Sequence, residues 1–229
     1  MDSIRILSTK KLLENQKQLL LQANINLVEE DFIATQPKEF TFESLHEYSI
    51  ITSQNAVKSL LLHENLSQIK QKKCFCVGIK TKTALEKEGF EIVVYTDYAA
   101  VLATIITNQY SQSSFTFFSG NLRRDALPET LRLAGIPLQE ITVYETNLVP
   151  HIITPKVNGI LFFSPSGVES YLQQNTISNE LCFCIGTTTA EALQSITKQI
   201  VISKPPTVEK TIESCLHFYS NQLIDSDKK

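Results

Sequence analysis

Short apolar runs closed by polar turns alternate along this chain with longer stretches in which leucine, isoleucine and valine recur every three or four positions. The first pattern belongs to strands buried on both faces, the second to helices that lie on them. Residues 4–9 predict a strand, residues 10–23 a helix with Leu12, Leu13, Leu19 and Leu20 on its apolar side, and residues 27–33 the next strand. Pro37 interrupts the pattern, and a helix is predicted after it over 40–48. Further on, 92–95 and 115–118 read as strands and 99–110 as a helix. A helix over 126–134 should stop at Gly135, in left-handed backbone, with Pro137 just beyond. Residues 140–146 alternate as a strand that Pro150 ends, and they are expected to pair antiparallel with the outgoing segment 32–36. The last helix is predicted over 207–223.

The pattern also repeats. Ile51-Thr-Ser-Gln-Asn-Ala-Val-Lys-Ser-Leu60 followed by Cys74-Phe-Cys-Val-Gly78 returns as Phe163-Ser-Pro-Ser-Gly-Val-Glu-Ser-Tyr-Leu172 followed by Cys182-Phe-Cys-Ile-Gly186, offset by about 110 residues. Each copy reads as strand, polar turn, helix, strand, Gly/Thr turn, helix, so the polar turns should lie at the carboxyl ends of parallel strands. Two α/β domains follow. Residues 1–35 hold too few strands for a sheet of their own and are expected to join the second copy. This predicts a discontinuous domain of 1–35 plus 149–229 and an inserted one of 38–145, with crossings near 33–38 and 144–150 forming a two-stranded hinge.

With 229 residues, 42% of them hydrophobic, the chain can bury two cores. Its formal net charge is −3 and its basic residues are scattered, which argues against nucleic acid or an anionic membrane as the main partner. No apolar run approaches the roughly 20 residues of a membrane span, and the opening residues carry no charged-then-apolar leader, so a cytoplasmic protein is expected. Nothing demands an oligomer, and a monomer is the expectation. Cys74 and Cys76, like Cys182 and Cys184, stand two apart in strands and so share a face, which predicts small apolar core residues and no metal site.

Candidate chemistry gathers at the turns. Ser166-Gly-Val-Glu169 and Thr188-Thr-Ala-Glu191 both fit a capping box, which would place free amides and a positive helix end at each turn. The corresponding turns of the first copy are Ser53-Gln-Asn55 and Gly78-Ile-Lys-Thr81, so four anion-receptive turns are expected on one rim. No nucleophile–base set, P-loop or Gly-x-Gly-x-x-Gly is present, and a count of just 7 glycines argues against nucleotide cradling. What remains is a polar site of hydroxyls, amides, Arg123, Arg124 and the phenol of Tyr144, suited to binding and shaping a polyanion.

Five segments in order, Ile51-Thr-Ser-Gln-Asn-Ala-Val57, Gly120-Asn-Leu-Arg-Arg-Asp125, Val143-Tyr-Glu-Thr146, Phe162-Phe-Ser-Pro-Ser-Gly-Val168 and Ile185-Gly-Thr-Thr-Thr-Ala190, together resemble the uroporphyrinogen-III synthase family across nearly the whole chain. The resemblance implies two flavodoxin-like domains that close over hydroxymethylbilane, a linear tetrapyrrole with eight carboxylates. Water is lost and the macrocycle closes with ring D inverted through a spiro intermediate, without a cofactor. It further implies that Tyr144 assists departure of the hydroxyl. Substrate would be held by Ser53, Thr81, Gly120, Asn121, Arg123, Arg124, Ser164, Ser166, Gly167, Gly186, Thr188 and Thr189. A transient contact with the preceding or following pathway enzyme is also implied. The family often shows Pro-Arg where this chain has Gln54-Asn55, so the resemblance does not carry that arginine's contact over to this chain. The competing reading is a non-enzymatic two-domain anion-binding receptor, against which the missing leader counts.

Overall fold

The structure, a computed structural model, describes residues 4–123 and 125–226. Arg124, one of the two arginines singled out above, lies outside the described residues. In chain order the first elements are β1 (Arg5–Ser8), α1 (Glu14–Gln22), β2 (Asn26–Glu29), β3 (Ile33–Pro37), β4 (Tyr48–Ile51), α2 (Gln54–Leu60), α3 (Leu66–Lys70), β5 (Lys73–Val77), α4 (Ile79–Lys87) and β6 (Ile92–Thr96). They are followed by α5 (Ala99–Gln109), β7 (Phe115–Gly120), α6 (Ala126–Leu133), β8 (Leu138–Leu148), β9 (Gly159–Phe162), α7 (Pro165–Leu172), β10 (Leu181–Cys184), α8 (Thr187–Glu191), β11 (Ile200–Ile202) and α9 (Val208–Ser226). Two compact units result: one from the residues up to Ala34 together with those from Asn147 onward, the other from Thr35–Thr146.

The discontinuous unit is an α/β sandwich around a parallel sheet of order β11-β10-β9-β1-β2. Counted along its own chain this is the flavodoxin order. Strand alternation sorts its core into two layers. Leu7, Ile160, Phe162, Cys182 and Cys184 pack with Val168, Tyr171 and Ala190 of α7 and α8. On the opposite face Ile6, Leu161 and Phe183 meet Leu20 of α1 and Ile212, Cys215 and Tyr219 of α9.

The continuous unit holds a sheet of order β3-β8-β7-β4-β5-β6, parallel from β8 to β6. Ile51, Cys74, Cys76 and Phe118 pack under α2, α3 and α4, while Ile50, Phe75, Phe115 and Phe117 pack under α5 and α6. Each Cys-x-Cys pair therefore lies on one face of its strand as core filling. β3 is the neighbour of β8. Lys38 N–H donates to the Val143 carbonyl at 2.9 Å and Val149 N–H to that of Phe32 at 2.9 Å, a pairing in which one chain number falls as the other rises, as in antiparallel strands.

Several local expectations are corrected. The helix read over 10–23 starts only at Glu14. The amides of Lys11 and Leu12 are taken by the carboxylates of Asp31 (2.8 Å) and Glu29 (3.2 Å), and Gln16 reaches back to the Leu13 amide at 3.0 Å. The strand read over 27–33 is two strands, because Phe32 turns fully into the core between them. No helix forms over 40–48. Phe40 and Phe42 stack with His63, with ring centroids 4.2 and 5.3 Å apart. An extended chain puts residues two apart on one side, whereas a helix would splay them. Gly135 has φ +68, the left-handed stop expected after α6.

Candidate active site

In doubly wound sheets, ligand sites form outside the carboxyl ends of strands, where neighbouring strands send their chains to opposite sides. In the continuous unit that point falls between β4 and β7, and in the discontinuous unit between β9 and β1. The candidate residues group about these two points. Ser53 follows β4 and Gly120 ends β7; Ser164, Ser166 and Gly167 follow β9. Thr81 and the 186–189 turn lie one strand over in their respective sheets, after β5 and β10.

Tyr144 is placed by an irregularity. β7 and β8 run in parallel register from Phe115 opposite Leu138 to Ser119 opposite Thr142, then Gly120 faces Tyr144, with a shift between Ser119 and Gly120. Such bulges re-aim a side chain. Here Val143 and Tyr144, adjacent in sequence, both pack against the cluster of Ile51 and Phe118. The ring packs closely against Gly120. A Cβ there would overlap Cζ and Cε2 of Tyr144 and come within 2.8 Å of its hydroxyl oxygen. The phenol faces a cavity of about 100 Å³ lined also by Gln36, Pro37, Asn55 and Lys58. Sequence reasoning missed Gln36 and Lys58. Lys58 stands three residues after Asn55 on α2, a helical spacing that puts both on one side and was available as a signal.

Other candidates serve the scaffold. Asn121 spends its side-chain amide on Thr146, donating to the carbonyl (3.2 Å) and accepting from the N–H (2.7 Å), which prolongs the β7–β8 ladder. Arg123 is held between two carboxylates, Asp125 and, at 2.5 Å, Glu140. Thr81 is 5% exposed, tucked under the Gly78 turn, where φ is +86.

The caps also differ from the expected boxes. α7 is capped by Ser164, whose Oγ accepts from Gly167 N–H at 2.9 Å, and Ser166 sits inside the helix, 3.1 Å from Ser164 Oγ. Pro165 explains the shift: proline favours the first helical position, so the cap is the residue before it. A Cβ on Gly167 would stand 3.2 Å from Ser164 Oγ, so glycine permits the tight cap. α8 begins at Thr187 with Gly186 as its cap, which leaves Thr188 within the first turn and Thr189 buried. Ser53 caps α2, accepting from Asn55 N–H at 3.1 Å. Thr9, at the end of β1, was also missed: its hydroxyl donates to the Leu161 carbonyl at 2.8 Å and lies beside Gly167.

Burial pushes the thiols of Cys74, Cys182, Cys184 and Cys215 up to about 12 and that of Cys76 to about 11, so none carries thiolate at neutral pH. Among the described residues no group of three His, Cys, Asp or Glu side chains is placed to hold a metal ion. No helix among them is long and apolar enough to cross a membrane.

Two doubly wound α/β units, with capped polar turns at their strand ends, define a class of folds whose ligand sites form at those ends. A family model described as uroporphyrinogen-III synthase HemD matches residues 15–213. The chain is similar to uroporphyrinogen-III synthase of Saccharomyces cerevisiae, 28% identical over 196 residues that span 69% of this chain and 71% of that one. The fold is similar to the crystal structure of uroporphyrinogen-III synthetase from Helicobacter pylori, with TM-score 0.73, 19% identity and coverage of 94% of this chain and 99% of that one. A mutant uroporphyrinogen III synthase from Thermus thermophilus matches with TM-score 0.67 at 12% identity, covering 96% of this chain and 100% of that one. The chain belongs to the uroporphyrinogen-III synthase family, lyase-class enzymes of tetrapyrrole biosynthesis.

Proposed function

We propose that this chain converts hydroxymethylbilane to uroporphyrinogen III and that Tyr144 is its proton donor. The observation that carries the assignment of Tyr144 is its place: a phenol seated on Gly120 at a strand-end bulge, facing a polar cavity with no carboxylate among its lining residues. A phenol offers an O–H donor to a departing oxygen without adding a carboxylate beside an acidic substrate.

In the first step the ring A carbon–oxygen bond breaks as the pyrrole nitrogen pushes electrons toward it. Tyr144 gives its proton to the leaving hydroxyl, which departs as water, and the pyrrole N–H proton returns to the phenolate to leave an azafulvene. The substituted α-carbon of ring D attacks that methylene carbon, and the spiro intermediate fragments and recloses with ring D inverted. Loss of the α-proton restores aromaticity, for a net release of one water. The linear substrate also closes without help to the uninverted isomer, so the protein's task is to hold the chain in one shape, a matter of positioning and oriented donors. The scarcity of acid–base groups around Tyr144 fits that task.

The reading extends to a monomeric cytoplasmic enzyme that works without a cofactor and receives its substrate through transient contact with the preceding pathway enzyme. The decisive experiment generates hydroxymethylbilane in situ, adds the protein, oxidises the products and separates type I from type III uroporphyrin. Type III in excess is the expected result. Type I alone from folded protein would reject the reading.

A further inference from the structure

The cavity beside Tyr144 gathers side chains that have nothing to do in the protein itself. Among the described residues, the hydroxyl of Tyr144, the side-chain amides of Gln36 and Asn55 and the ammonium of Lys58 make no hydrogen bond or ion pair, although all four residues line one space. Nearby Lys38, in contrast, is paired with Glu145 at 2.8 Å, and Arg123 is held by two carboxylates. Among the described residues lining this cavity, Lys58 is thus the cation, and the fold leaves its charge uncompensated. It is exposed, whereas its α2 neighbours Val57 and Ser59 are buried, so no packing demand explains a long charged side chain there.

Ammonium offers three donors and asparagine two, with no acid to compete for them, and the cavity is sized for a single short arm of about four or five non-hydrogen atoms. We propose that this cavity is a carboxylate subsite: Lys58, with Asn55, binds one carboxylate arm of the substrate beside Tyr144. The proposal rests on the functional reading above, and it makes Lys58 a binding residue whose charge matters more than its shape. A local cation also offsets the repulsion that a protein of net charge −3 presents to an acidic ligand.

The test compares K58M and K58R with the parent chain and with K87M, which removes the same charge from an exposed position at the end of α4. In the product assay K58M should raise KM by about 10-fold, the size expected for a lost hydrogen bond to a charged group. Its kcat should change by less than about threefold, and K58R should recover most of the loss because it restores the charge. K87M should match the parent. A second measurement, calorimetric titration with uroporphyrin III as an octacarboxylate probe, should show the same ranking of affinities. An unchanged KM for K58M overturns the subsite, as does equal affinity of K58M and the parent for the probe, or binding by neither. The functional reading fails separately, if the parent chain yields only type I product. Thermal melting of each variant confirms that the comparison is between folded proteins.

Discussion

The two units are the same architecture with the chain cut in different places. β4-α2-β5-α4-β6 and β9-α7-β10-α8-β11 are the repeated half, and each sheet is completed by a strand–helix–strand piece that extends it past its first strand. In the continuous unit that piece, β7-α6-β8, follows the repeat. In the discontinuous unit it is β1-α1-β2 and comes before it. Both contain a tyrosine pressed onto a glycine, and here they part. Gly120 ends its strand, and Tyr144 above it opens onto a polar cavity. Gly159 begins its strand; the hydroxyl of Tyr219 would stand 2.9 Å from a Cβ there, and Tyr219 is 6% exposed, with its phenol pushed well above the ordinary range by burial. The same close packing borders a candidate site at the carboxyl end of a parallel sheet and only a core at the amino end, where β–α turns and their free amides are lacking.

The largest effect should come from Y144F, which keeps the ring on Gly120 and removes the donor. Turnover should fall about 10-fold or more, and an unchanged rate from folded protein would remove Tyr144 from the chemistry. G120A and G159A then separate the two glycines. In G120A the added methyl must displace the Tyr144 ring, so turnover per folded molecule should also drop about 10-fold. G159A meets the Leu181 carbonyl at 3.0 Å as well as Tyr219, and should cost about 1–3 kcal/mol in stability while leaving turnover per folded molecule intact. A catalytic loss in G159A equal to that in G120A would erase the distinction. Smaller still, S164A removes the α7 cap and should cost about 1 kcal/mol, seen as a fall of about 2–4 °C in Tm. The reverse outcome, a larger fall in S166A, would return the cap to where the capping-box pattern places it. R123A should be the mildest, with KM rising less than about threefold, because Asp125 and Glu140 already hold the charge.

What could be read from the chain was whatever repeats or alternates. The double strand–helix–strand copy carried the two α/β units, and the one-face burial of Cys74 with Cys76 and of Cys182 with Cys184 follows from period two alone. What could not be read depends on partners distant in sequence. α1 starts late because Asp31 and Glu29 reach back for its first amides. Residues 40–48 stay extended because His63 offers a stacking surface. The bulge that turns Tyr144 leaves no mark in Thr142-Val-Tyr144 itself, since it arises from the register with β7. Arg123 illustrates the same limit at the site: an arginine in a loop reads as free charge until Glu140, on the neighbouring strand, closes on it.

The pairing of β3 with β8 bears on the order of events at the ribosome. β1 must find β9, with Ile6 opposite Gly159, across more than a hundred intervening residues, a contact whose closure would be entropically expensive in an open chain. The inserted unit, Thr35–Thr146, is a continuous stretch that is fully synthesised before β9 emerges. Once folded, it brings its two ends together on adjacent strands, and the long loop shrinks to residues 7–34 and 147–158. The middle of this chain thereby serves as a clasp that lets its first strand wait, already positioned, for the partner made last.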